Sequence, residues 1–253
     1  CIRDRATAAL IQILYFRKRL LWWLILIIAL YVIFSIKKYI VISFVPAALI
    51  WAFIIQVKKI NNQMVQWLTT PIMFLLMLVF AYQSILWIGQ NDRKYQLDRI
   101  AETAKITAYD VGRWTGRSAG SRYDLGDLDG TFTGMLSLAP AAINVALFRP
   151  YLWEVNSPLM LLAALESLVL LLITLIVVVR SVGHIKVLAN SPVLVFALLF
   201  SLIFAFAVGI STYNFGTLFR YKIPLMPFYG LFLAISWKEI RSFKTVNVVL
   251  QKT

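Results

Sequence analysis

The chain has 253 residues, 61% hydrophobic and 14% charged, with a mean hydropathy of +0.80. A water-soluble domain is nearer half apolar and roughly a quarter charged, so a core of this size cannot hide this much apolar surface, whereas a bilayer can. The formal charge of +14 does not indicate a nucleic-acid partner: residues Gly89–Ser157 hold eight basic and eight acidic side chains, and the remaining basic residues sit mostly at the ends of apolar runs, as in membrane helices anchored at a cytoplasmic face.

The chain opens Cys1-Ile-Arg-Asp-Arg5, which matches the translation of a common sequencing adapter. The first five residues are therefore expected to be foreign and the native chain to extend upstream. With one cysteine, Cys1, no intrachain disulfide can form.

A spanning helix needs roughly 20 apolar residues. Leu20–Ile36, preceded by Arg17-Lys18-Arg19, is the first candidate. Tyr39–Val57, followed by Lys58-Lys59, is the second, and the Lys37-Lys38 turn between them is tight. Pro71–Ile88 is the third, Pro158–Val179 the fourth and Pro192–Ser211 the fifth. Ile223–Trp237 is a short sixth, with Pro224 and Pro227 inside it. The expectation is an all-α, polytopic transmembrane bundle of about six spans. Residues 1–88 form N-terminal membrane helices, 89–157 an extracytoplasmic segment, and 158–253 C-terminal membrane helices with a cytoplasmic tail.

With Arg17–Arg19 in the cytoplasm, the inner flanks collect eleven basic residues and the short outer turns four: Lys37, Lys38, Arg220 and Lys222. This bias sets the expected orientation, with 89–157 and the turn Thr212–Lys222 both outside. Within the outer segment, Leu97, Ile100, Ala104, Ala108 and Val111 recur at helical spacing, so Tyr95–Trp114 reads as an amphipathic helix. Thr115–Gly130 reads as a glycine-rich loop. Phe132–Phe148 is apolar but broken by Gly134, Pro140 and Asn144, which fits an interfacial or re-entrant helix.

Soluble-enzyme signatures are missing. No phosphate-binding glycine loop is present, and one Cys and one His exclude a Cys/His metal cluster. His184 falls on the cytoplasmic side, away from the acidic loop, which disfavours a Ser-His-Asp hydrolase. Asp124, Asp127 and Asp129 lack the terminal Glu of an EF-hand loop. No metal and no cofactor is expected.

Glu166 is the one ionisable residue in the apolar run Leu161–Leu172. A charge at the bilayer centre costs about 2.5–3.5 kcal/mol on insertion scales, so Glu166 is protonated, paired or faces a wet cavity. It serves as a structural hydrogen bond, a proton relay or a substrate contact. Arg149 and Glu154 flank Tyr151 and Trp153, two aromatics suited to the headgroup level. Arg149 can anchor a lipid phosphate, pair with Glu154 or hold a diphosphate. Arg220 and Lys222 lie two apart beside Gly216. Arg122, Asp124, Asp127 and Asp129 can meet sugar hydroxyls, or remain a solvated loop.

Two stretches carry a resemblance. Leu147-Phe-Arg-Pro-Tyr-Leu-Trp-Glu-Val-Asn-Ser-Pro-Leu-Met160 and Asn214-Phe-Gly-Thr-Leu-Phe-Arg-Tyr-Lys-Ile-Pro-Leu-Met-Pro-Phe228 resemble multi-spanning proteins of bacterial surface-polysaccharide gene clusters. Those in turn are similar to O-antigen polymerases and membrane-embedded glycosyltransferases. The resemblance implies an inner-membrane location and action on a polyprenyl diphosphate-linked glycan at the outer face. It also implies contacts with membrane lipids and other envelope-assembly proteins. Arg149, Arg220 and Lys222 would hold the diphosphate, with Arg122 and Asn214 beside them, and Glu154 or Asp124 would deprotonate the acceptor hydroxyl. The outer segment departs from ligases of this type in lacking a histidine. Two rival expectations are a transporter or flippase-like component working through Glu166, and a non-catalytic assembly subunit docking through 95–114.

Overall fold

The computed structural model describes residues 2–16, 20–60, 99–114, 121–182 and 191–250, with 71, 72, 75, 79, 83 and 96 described singly. All regular structure among them is helical. The chain divides into two compact units, Cys1–Ile85 and Leu86–Thr253, so the expected extracytoplasmic segment and the C-terminal helices share one unit.

In the first unit, α1 (Ile2–Tyr15), α2 (Leu20–Ile36) and α3 (Lys38–Lys58) pack on one another. Lys37 alone separates α2 from α3, so the expected tight turn is a single residue. Buried Trp51 donates its indole N–H to the Tyr15 hydroxyl at 3.2 Å, tying α3 to α1. Leu20, Leu21, Leu24, Ile27, Ile28 and Tyr31 of α2 are exposed. A helix apolar all round needs a nonaqueous surrounding.

In the second unit the elements are α4 (Ile100–Trp114), α5 (Phe132–Ser137), α6 (Ala139–Phe148), a 3₁₀ turn (Leu152–Glu154), α7 (Pro158–Ser181), α8 (Pro192–Thr212), α9 (Phe215–Tyr221) and α10 (Met226–Leu250). Their starts are written in the sequence. Ser157 accepts from the Met160 amide at 3.3 Å with Pro158 in the first turn, and Thr131 accepts from the Gly134 amide at 3.0 Å. These side chains satisfy amide donors that a helix leaves open at its start.

The core is built around α8, which packs against α4, α6, α9 and α10. Of its most apolar stretch 56% is buried, against 22% for α7, so α8 is central and α7 peripheral. Phe196, Phe200 and Phe204 stack along α8, and Phe228 of α10 packs on the first two. At Gly209 the backbones of α8 and α6 come so close that a Cβ would lie 2.1 Å from the Ala142 carbonyl oxygen.

Among the described residues, three helices (α3, α7 and α8) are long and apolar enough to cross a membrane. The number is four if α9 and Met226–Arg241, bent by 67°, form one broken span. Helix α2 has the expected bounds but only 17 residues. The candidate span Pro71–Ile88 lies outside the continuously described residues, and Arg17–Arg19 and His184 lie outside the described residues. This is an all-helical chain with the composition and helices of a membrane protein.

The structure refines two of the expected elements. Phe132–Phe148 is a pair of helices, and the second packs its Ala142, Val145 and Ala146 against α8; Pro140 is accommodated in the first turn of α6 rather than breaking it. The expected turn Thr212–Lys222 contains a helix, α9, because Asn214 caps it.

Candidate functional site

Helix α9 organises the site. The Asn214 side-chain oxygen accepts from the Gly216 and Thr217 amides at 2.8 and 3.3 Å, and its NH₂ donates to the Ser121 hydroxyl at 3.1 Å. One side chain thus starts the helix and pins the loop before Asp124 against it. Arg122 forms a β-bridge with Asn214, and the Tyr123 amide donates to the Tyr213 carbonyl at 3.3 Å.

Tyr123 is the buried anchor of that loop. Its ring packs on Tyr213 and Phe215 with centroids 5.7 and 5.2 Å away. Its hydroxyl lies 2.8 Å from the Gly209 carbonyl and 2.5 Å from the Thr212 hydroxyl. Burial pushes the Tyr123 phenol up to about 12, against the opposing pull of the Thr212 hydrogen bond, the Tyr213 backbone and the Arg149 charge. It remains a neutral donor at physiological pH. Tyr213 is left-handed, with φ of +48°, where a non-glycine residue is strained by roughly 1–2 kcal/mol. Its ring is buried and its hydroxyl has no hydrogen-bond partner among the described residues.

Two cation–carboxylate pairs meet α9 from the other side. Arg149 follows α6, and its guanidinium lies 5.5 Å from the Phe215 ring. Its Nε donates to both oxygens of Glu154 at 3.0 and 3.1 Å, and Nη2 makes a third contact with the same carboxylate. The Tyr151 amide donates to Glu154 at 2.8 Å. Burial raises the Glu154 carboxyl, but the Arg149 hydrogen bond, the Tyr151 amide and the Arg149 charge outweigh it and hold the group below the usual carboxylate range. Glu154 is thus held ionised beside Arg149 at neutral pH, poorly suited to accept a proton. Tyr151 stacks on exposed Trp153 at 4.6 Å and hydrogen-bonds Asn144.

The second pair joins Lys222, the C-cap of α9, to Glu166 of α7 at 3.4 Å. Lys222 Nζ also lies 3.5 Å from the Ser167 hydroxyl, which donates to the Arg149 carbonyl at 3.1 Å. Ser167 therefore links the two pairs. The Lys222 side chain is 2% exposed and that of Glu166 39%.

Five of the residues expected to bind substrate thus gather at one short helix. Asn214 caps it, Arg220 and Lys222 lie in its last turn and C-cap, Arg122 bridges to its start, and Arg149 packs on its first ring. Arg220 is exposed and donates to the Gly216 carbonyl at 3.3 Å. Asp124 is exposed, with one oxygen holding the Gly126 amide at 2.9 Å. Asp129 turns its carboxylate onto the Thr131 amide and hydroxyl. It lines a separate open groove of about 540 Å³ with Glu102, Lys105, Ile106, Tyr109 and Gly130. Among the described residues no group of three or more His, Cys, Asp or Glu converges as a metal set would.

Sequence reasoning missed Tyr123, Ser167 and Tyr213. For Tyr123 a signal was present: Tyr123, Leu125 and Leu128 are apolar positions in a polar loop, and all three are buried. Comparison with known proteins finds no protein family, no curated protein and no solved structure that matches the chain.

Proposed function

We propose that this chain is an inner-membrane component of bacterial surface-polysaccharide assembly that holds a polyprenyl diphosphate-linked glycan at the outer face. The observation that carries the reading is that Arg122, Arg149, Arg220 and Lys222 all lie at or beside the short helix Phe215–Tyr221. The two stretches that carry the sequence resemblance also meet there, Arg149 of one packing on Phe215 of the other. Arginine presents a planar fork that suits phosphate oxygens, and lysine adds a point charge. In this reading the chain has about six spans, with 89–157 and α9 outside and the prenyl tail in the bilayer.

Arg220 is the foremost ligand, since it is exposed and no carboxylate among the described residues holds it. The chemistry proposed is glycosyl transfer or polymerisation, in which Arg/Lys charge stabilises the departing diphosphate. Of the two candidate bases, Asp124 is the better: it is exposed, whereas Glu154 is committed to Arg149. The test is made in the native host with the full-length gene. Arg220→Ala should abolish long surface-polysaccharide chains on a gel and leave single repeat units at normal protein level. Unchanged chains would remove the reading.

One observation favours a second reading, a transporter or flippase-like component. Glu166 lies within the apolar helix α7, where a coupling group would sit, and Lys222 gives it an ionic partner. Loss of export in Glu166→Gln, with Arg220→Ala fully active, would select it.

A further inference from the structure

Lys222 is buried to 2%, yet the carboxylate that neutralises it is 39% exposed. The ammonium's other neighbours are a hydroxyl and an aromatic ring. Ser167 is fully buried and sends its own proton to the Arg149 carbonyl, which leaves its oxygen to face Lys222. The Phe219 ring stands 5.1 Å away. Among the described residues Glu166 is the one ionic partner of Lys222, and it is also the removable one. It projects from a peripheral helix, and Lys222 is its one ion-pair partner among the described residues.

The neighbourhood of Glu166 is apolar. Leu162 and Val169, four before and three after it on α7, share its helix face and are exposed, as are Phe219 and Ile223 beside Lys222. A ligand reaching this ammonium therefore meets one buried cation and a border of exposed hydrocarbon. That combination fits an anionic head on an apolar tail. A phosphate offers more charge and more acceptor oxygens than a carboxylate, and so can take its place.

We infer that Lys222 is a phosphate site for an isoprenoid-type phosphate or diphosphate lipid, and that Glu166 is the internal anion occupying it until the lipid phosphate displaces it. The inference rests on the proposed function and adds to it a gate. Glu166 covers the cation when no lipid is present, so Lys222 is never left buried and unpaired. The exchange breaks one ion pair and forms another, with no covalent change.

The experiment uses the full chain purified in neutral detergent, with farnesyl diphosphate and inorganic pyrophosphate as probes, read by titration calorimetry. Glu166→Ala removes the competing carboxylate and should bind farnesyl diphosphate at least about tenfold more tightly than wild type. Glu166→Gln, which keeps the side chain's size, should shift affinity the same way by less. Adding Lys222→Met to Glu166→Ala should abolish the gain. Inorganic pyrophosphate should bind more weakly than farnesyl diphosphate; equal affinities would overturn the lipid assignment. Unchanged or weaker binding in both Glu166 variants would overturn the exchange. Should wild type bind through Arg220, as shown by loss in Arg220→Ala, while both Glu166 variants match it, the inference fails and the proposed function stands. Should no variant bind either probe, both fail.

Discussion

Replacing Glu154 with Gln tests how firmly Arg149 is held. The carboxylate accepts from Arg149 Nε at 3.0 and 3.1 Å, from Nη2, and from the Tyr151 amide at 2.8 Å. Glutamine keeps the shape but has one acceptor oxygen, and its NH₂ would oppose the guanidinium donors. A hydrogen bond to a charged group contributes about 1.5–3 kcal/mol, and an exposed ion pair about 0–1 kcal/mol. Both side chains are 19% exposed, so a loss of about 2 kcal/mol is expected, between these limits. The assay is unfolding of the purified chain in detergent for wild type, Glu154→Gln, Arg149→Gln and the double variant. The cycle should return a coupling of about 1–2 kcal/mol. The folded Glu154 carboxyl lies below its ordinary value. Its stabilising contribution is therefore complete above the unfolded value of about 4.3 and is lost as pH falls through the lower folded value. The gap between wild type and Glu154→Gln should accordingly close in acid. A coupling under about 0.3 kcal/mol at neutral pH, or a gap that persists unchanged into strong acid, would refute this reasoning.

Gly209→Ala should destabilise by at least about 2 kcal/mol, within the range for overpacking: the added Cβ would meet backbone at Ala142, which cannot rotate away, and this outweighs alanine's better helix propensity. Thermal unfolding in detergent measures it. Asn214→Ala should lower stability by about 1–2 kcal/mol through loss of the cap, and Asn214→Asp should recover most of it, since the carboxylate keeps the acceptor for Gly216 and Thr217. Tyr123→Phe should weaken the fold by about 1 kcal/mol. Ultraviolet titration should then show the loss of one phenol that ionises near pH 12 in wild type.

The bounds of four apolar helices were readable because charge and proline punctuate them. Leu20–Ile36 agrees residue for residue, and Pro158 and Pro192 open α7 and α8 as expected. The second run, Tyr39–Val57, is one residue longer at each end in α3. Tyr95–Trp114 retains its C-terminal part as α4. The pairing of Glu166 with Lys222 was not readable. The two lie 56 residues apart with α8 between them, and Lys222 appeared as a basic flank of an outer turn. Only the short helix α9, set by the Asn214 cap, carries Lys222 to α7. Arg149 and Glu154 are five apart, and their pairing was one of three open readings. The structure shows the pairing, because the 3₁₀ turn brings the carboxylate back onto both the guanidinium and the Tyr151 amide. Periodicity could not show that Phe132–Phe148 supplies a buried helix, since the contact depends on Gly209 of α8, far along the chain.

The central claim is that the basic cluster at Phe215–Tyr221 holds a lipid-linked glycan. It is tested most directly by purifying the full-length protein from its host in mild detergent and weighing the co-purified lipids by mass spectrometry. A polyprenyl diphosphate bearing saccharide should be retained by wild type and lost in Arg220→Ala. Bulk phospholipids alone, in equal amounts from both proteins, would contradict the claim.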